Sequence, residues 1–316
     1  MILLIALLAA AAVLGLGTPA LLRRIDFGGA PVVGIVAWMG AVSATITVGV
    51  LAVVALAWPG DPPGNSSAGA VARSLAEIEP TIVTWTADLI LPVATAGVIV
   101  PLGLVTRVAI IHLRQWSAHR RRHTELLALL GRVDPGSAGL VWLDHPVPLA
   151  YSVSGQGGYV VVTDGLARCL TEAQWRAVLA HEHAHLRAHH HRILGVCQVL
   201  ARAFPQIPLF AAAPSALTTL VELAADRAAA IRTDPHALGS ALRTVAGHGA
   251  PMTISTLEQT PDSLAVRLAC LGAAPELRSA SRRRAAGALA ATILLVPVAA
   301  VLAVGLGSAA ASLALI

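Results

Sequence analysis

Apolar runs, more than charged ones, divide this chain into segments. Four stretches are uncharged for about the 20 residues that a helix needs to cross a hydrocarbon core. The first, Met1–Leu22, is closed by Arg23 and Arg24, and the second covers Pro31–Trp58. The third, Leu89–Thr106, trails on through Ile111, and the fourth, Ala285–Ile316, follows Arg282, Arg283 and Arg284. Between the last two the period changes. Leu140–Leu143, Pro148–Val153 and Gly158–Thr163 alternate or run apolar between turn signals at Asp144-His-Pro and Ser154-Gly-Gln-Gly-Gly158, which predicts a small antiparallel sheet. From Thr171 the spacing is helical. Thr171-Glu-Ala-Gln174 is a capping box, and the helix it opens is expected to run through His181 to about Leu194.

The fold class expected is therefore a mainly α membrane protein. Four transmembrane helices flank an α+β domain of small sheet and helices, inserted between spans three and four. The boundaries expected are 1–115 for a three-span region with a short outer loop at about 60–82, 116–284 for the inserted domain, and 285–316 for the last span. A cleaved signal peptide is the other reading of Met1–Leu22, but no basic residue precedes the apolar run and the arginines follow it.

Arginine placement sets the expected orientation, because basic residues favour the cytoplasmic side. Arg23 and Arg24 lie between spans one and two, while Arg107, Arg114, Arg120–Arg122 and Arg282–Arg284 flank the inserted domain. The loop between spans two and three carries one arginine, Arg73, against Asp61, Glu77 and Glu79. Both termini are then outside a multi-pass plasma-membrane protein, and Trp116–Arg284 is cytoplasmic. Trp58 and Trp85 would mark the outer interface and Trp116 the inner one.

Composition agrees. The chain is 316 residues, 56% hydrophobic and 12% charged, about half the charged share of an ordinary soluble domain. Mean hydropathy is +0.73 and the pI about 10. The basic balance resides wholly in arginine and sits where lipid headgroups would meet it, so the lipid bilayer, and no direct nucleic acid, is the expected partner. Cys169, Cys197 and Cys270 are scattered and odd in number, which gives no disulfide framework.

The chemistry lies in the inserted domain. In His181-Glu182-His183-Ala184-His185 the i, i+4 spacing puts His181 and His185 one turn apart, where two imidazoles can converge on one Zn2+ ion. Glu182 can hold a water there and take its proton, since zinc brings water's pKa within a carboxylate's reach. A catalytic zinc wants a third protein ligand. Glu222 and Asp226, also i, i+4 on an alanine-rich helix, offer one carboxylate for the metal and one to accept a hydrogen bond from a ligand histidine.

Thr163-Asp-Gly-Leu, Ala177-Val-Leu-Ala-His181-Glu-His-Ala-His185-Leu and Glu222-Leu-Ala-Ala-Asp226-Arg, in this order, resemble the gluzincin membrane metallopeptidases. Two branches share this core, the HtpX-like and CAAX-processing proteases and the BlaR/MecR-type regulatory peptidases. Three spans before the domain and one after it are more similar to the second. The resemblance, over about Leu140–Arg243, implies His181, His185 and Glu222 as ligands of one zinc per chain, Glu182 as general base, and Asp226 as the residue behind a ligand. It also implies that the strand Pro148, Leu149, Ala150, Tyr151, Ser152 and Val153 holds an extended substrate by strand addition. Two features depart from the family. The chain stops at Ile316 without a penicillin-binding sensor domain, and His190 stands where relatives commonly have Asp.

Other polar residues are open. His189, four beyond His185, is read either as sharing the ligand face or as a polar helix end, and His183 as pointing away. Tyr151, His236, Arg243 and His248 are candidates to stabilise the oxyanion. Ile193–Leu223, broken by Arg202, Pro205 and Pro208, has no clean span and is expected as a hairpin lying against the bilayer. The function expected is an integral-membrane zinc endopeptidase cleaving a cytoplasmic or membrane-proximal protein, such as a partner transcriptional repressor. HtpX-like quality control of membrane proteins, or a non-catalytic zinc-binding signal relay, are the alternatives.

Overall fold

With no charge before Arg23 and alanine or leucine at most positions, the N-terminal segment has every reason to coil: helices α1 (Ile2–Ala12) and α2 (Thr18–Arg23) run on through one π-helical turn, Val13–Gly17. Pro19 has no N–H to donate into the ladder, and the wider turn lies just before it. Helix α3 (Pro31–Ala57) starts at a proline, pre-set for a first helical position. The structure, a computed structural model, describes residues 2–57, 96–118 except 98, 121, 131–134, 139–248 except 156, and 261–272. The outer loop, the fourth span, most of the first half of the third, Trp58, Trp85 and Arg282–Arg284 lie outside the described residues. Helix α4 (99–118) continues the third expected span well past Ile111.

The sheet has four strands: β1 (Gly131–Val133), β2 (Leu140–Leu143), β3 (Ala150–Val153) and β4 (Tyr159–Thr163). Their order is β1-β2-β4-β3, and the sheet is mixed, not antiparallel throughout as the sequence suggested. Because β3 folds back tightly onto β4, β2 is left the other side of β4 and pairs with it in parallel, Leu140 opposite Val160. β1, which the sequence did not show, pairs antiparallel with β2.

At the end of β4 the Thr163-Asp-Gly-Leu turn has a steric explanation. Thr163 Oγ1 donates to the Val147 carbonyl (2.7 Å) and accepts from Leu149 N (2.9 Å) and Leu166 N (3.2 Å), capping helix α5 (Asp164–Cys169). Gly165 packs so closely that a Cβ there would lie 2.1 Å from the Pro146 carbonyl oxygen. Backbone on backbone leaves nothing to move aside.

Five helices complete the described fold: α6 (Glu172–Arg187), α7 (His190–Ala203), α8 (Pro208–Ala230), α9 (Pro235–Gly247) and α10 (Pro261–Gly272). The helix opened at Thr171 ends at Arg187 instead of continuing to Leu194, because His189 takes a left-handed conformation (φ 51°) and restarts the chain as α7. The expected hairpin exists as α7 and α8. Pro214 is absorbed inside α8, however, so this helix is an unbroken 23 residues and, by length and composition, is apolar enough to cross a membrane, as is Pro31–Val53 of α3. Much of α8 faces protein. Leu209, Phe210, Leu217, Leu220 and Val221 join Trp38, Val42 and Val48 of α3 and Cys197 and Leu200 of α7 in one core. Helices α3 and α8 pack closely at Gly34, where a Cβ would lie 2.9 Å from Leu220 Cδ2. A second core, Val160, Val162, Leu166 and Val245, lies under the sheet. Helices α6 and α8 pack together beside both.

Candidate active site

Helix α6 is fixed at its start. Thr171 Oγ1 accepts from Gln174 N (3.4 Å), Gln174 Oε1 accepts from Thr171 N (2.8 Å), and Gln174 Nε2 donates to Ser240 Oγ on α9 (2.9 Å). Helical spacing from this cap turns His181, Glu182 and His185 inward toward α8. His181 Nε2 and His185 Nε2 are 3.1 Å apart, and Glu222 closes the triangle with Oε2 and Oε1 each 3.5 Å from one of them. Around a tetrahedral zinc with bonds of ~2.0–2.1 Å, ligand atoms stand about 3.3–3.4 Å apart. Glu222 Oε1 is buried without a hydrogen bond, which an ion between the three side chains would correct. Two imidazoles and one carboxylate are also the donor set that suits catalytic zinc.

Each corner of the triangle is supported from behind. His181 Nδ1 is 2.9 Å from Asp226 Oδ1, and His185 Nδ1 is 3.1 Å from His190 Nδ1. Arg267 on α10 grips Asp226 with both Nε (2.7 Å to Oδ2) and Nη2 (2.6 Å to Oδ1), and its Nη1 is 3.1 Å from Glu222 Oε2. Sequence reasoning passed over Arg267 and gave His190 no partner. The signal for Arg267 was a lone charge in Leu264-Ala-Val-Arg267-Leu-Ala-Cys-Leu271; the signal for His190 was hidden by the break at His189.

The cluster's electrostatics follow from burial. Glu182, 2% exposed, has its pKa raised by desolvation, against the pull of the His181 charge and a hydrogen bond to Ser152 on β3. Its Oε2 has no partner. Burial, helped by the His181 charge, lowers His185 to about 3, and burial lowers His190 to about 4 against the attraction of Glu222. Burial also disfavours the His181 cation, but contacts with Asp226 and Glu222 overcome it and hold this group at about 10.

The structure brings His181, Glu182, His185, Glu222 and Asp226 together and leaves other candidates elsewhere. His236, Arg243 and His248 are exposed on or beside α9. Tyr151 is buried with Val161, Val141 and Leu143, whereas its neighbour Ala150 packs with Val160 and Val162, so Tyr151 faces away from α6 on the other side of the sheet. His189 is exposed at the left-handed break, off the ligand face, and His183 is exposed with Nδ1 2.7 Å from the Leu179 carbonyl. Of the expected strand 148–153, Ala150–Val153 form β3, at one edge of the sheet, while Pro148 and Leu149 precede it. The Thr163 N–H donates to the Leu149 carbonyl (3.1 Å), so antiparallel alternation points the N–H and C=O of Ala150 and Ser152 outward along the open edge.

Residues 118–234 match the profile of Peptidase family M48. This M48 region takes in the sheet and helices α5 to α8, hence every residue of the cluster except Arg267. The plastoglobule-localized metallopeptidase 48 of the chloroplast of Arabidopsis thaliana is 36% identical over 115 residues, or 32% of this chain. The aligned part spans about a third (33%) of that relative's length. No solved structure matches the chain.

Proposed function

We propose that this chain is an integral-membrane zinc endopeptidase with its M48 region on the cytoplasmic side. The observation that carries the reading is the buried triangle of His181, His185 and Glu222 with Glu182 beside it, inside a region that matches a peptidase family, in a chain similar in part to a protein named as a metallopeptidase. Zinc, when bound, would polarise a peptide carbonyl and make a water acidic. His181, His185 and Glu222 would hold it, while Asp226 and His190 fix which ring nitrogens face inward. Glu182, whose raised pKa matches a group that both takes and returns a proton, removes a proton from the attacking water and delivers it to the departing amine. The peptide C–N bond breaks as the water oxygen bonds to carbon, giving a carboxylic acid and an amine. Ala150 and Ser152 hold the extended substrate by backbone hydrogen bonds along the β3 edge.

The apolar helices and the arginine distribution support a plasma-membrane setting with both termini outside. In that setting the substrate is a cytoplasmic or membrane-proximal protein, and by the likeness to BlaR/MecR-type peptidases it is a partner transcriptional repressor.

The test uses the full chain purified in bilayer vesicles. Wild type and Glu182→Gln both bind one zinc per chain, and the variant loses proteolysis; comparison of cellular proteomes with the two forms then identifies the substrate. Equal cleavage by Glu182→Gln would overturn the mechanism, and zinc binding without any hydrolysis would leave the signal relay. Broad degradation of membrane proteins would move the role to quality control.

A further inference from the structure

A cavity of about 400 Å3, counted to its open mouth, adjoins Glu182 and His181. Its wall is apolar and comes mainly from one helix face. Leu238, Ala241, Leu242 and Val245 of α9 lie at i, i+3, i+4 and i+7, and Val178 of α6 and Leu166 of α5 stand among them. Three lining groups are polar, His181, Glu182 and Arg267, and all belong to the cluster described above. Ala150 of the edge strand β3 also lines the space.

Resting on the peptidase reading, we infer that this cavity is the specificity pocket, and that it takes one aliphatic side chain of the substrate, next to the bond that is cut. A chain laid along β3 has its backbone at Ala150, its scissile carbonyl toward Glu182, and a side chain directed at α9. Apart from His181, Glu182 and Arg267, which belong to the buried cluster, no lining residue can pair with a charge, so a charged side chain among the apolar residues would stay unpaired and is rejected. Part of that space is open solvent, so what the walls enclose suits one small side chain and not a lipid chain. Ala241 and Ala150 make the wall by their smallness, and the Gln174–Ser240 hydrogen bond holds the wall helix against the catalytic one.

The experiment is a cleavage-site profile of the zinc-loaded full chain on a mixed peptide library, read by mass spectrometry, for wild type, Ala241→Leu and Val245→Ala. Wild type is expected to cut beside Leu, Ile, Val or Met and to reject Asp, Glu, Lys and Arg. Ala241→Leu fills the pocket, so kcat/KM on a leucine peptide falls by about 10–200-fold while an alanine peptide is spared. Val245→Ala widens it and moves preference toward Phe, which keeps the proposal testable where Ala241→Leu does not fold. Zinc content of one per chain shows that each variant retains its site. Identical profiles for wild type and a folded variant would overturn the pocket alone. Cleavage of lipid-modified peptides in place of plain aliphatic ones would overturn the bare side chain as its occupant. A zinc-loaded wild type that cuts nothing would overturn the peptidase reading and the pocket with it.

Discussion

His181 Nδ1 stands 2.9 Å from Asp226 Oδ1, while the opposite nitrogen of the same ring faces His185 and Glu222. One carboxylate thus sets the orientation of a ligand from the side the metal does not use. Replacing Asp226 by Asn keeps the shape and removes the charge. Zinc affinity is expected to fall by about 10–100-fold, measured by competition with a chelating dye. Unchanged affinity would show that Asp226 serves only packing.

Arg267 is 4% exposed and neutralises two buried carboxylates at once. Removing one partner of such a group typically costs about 3–5 kcal/mol, because the remaining charge is left in low dielectric. Arg267→Met is therefore expected to lower the melting temperature sharply. Zinc would offset part of the loss through Glu222, so the deficit should be larger in chelator than in zinc. Arg267→Lys should rescue only in part, since an ammonium cannot make the two-pronged contact with Asp226. Melting curves of the three proteins with and without zinc decide it.

Metal removal has its own signature. A ligand that binds only the folded protein at about 1,000 times its dissociation constant adds roughly 4 kcal/mol. Chelation is expected to lower the melting temperature reversibly in the wild type. In His185→Ala, which lacks one corner of the triangle, zinc and chelator should give nearly the same curve.

Gly165 gives a prediction independent of the metal. Gly165→Ala would place its new atom against the Pro146 carbonyl, and overpacking of this kind costs about 1–3 kcal/mol. The expected result is a lower melting temperature with zinc stoichiometry retained. An unchanged melting temperature would mean that the β4–α5 turn yields without cost.

The parts of the site legible in the sequence are those encoded within one helix. The Thr171 cap, the His181/His185 pair and the Glu222/Asp226 pair each span at most a turn, so helical spacing alone brings them to one face. What escaped depends on contacts distant along the chain. Arg267 reaches Asp226 across 41 positions, and β2 meets β4 in parallel because β3 has taken the other side, a choice no local pattern records. The end of α6 at Arg187 was hidden for another reason. A histidine in a left-handed turn lacks the glycine that usually announces one.

Helix α8 meets α3 at Leu220 and presents Glu222 two positions later, a rise of only about 3 Å. An unbroken helix does not bend appreciably over that distance, so the packing of α3 at Gly34 bears on the stretch of α8 that presents Glu222, the third corner of the candidate triangle. The apolar helices are therefore more than a tether for the M48 region. They pack against the helix that carries one corner of the candidate metal-binding triangle.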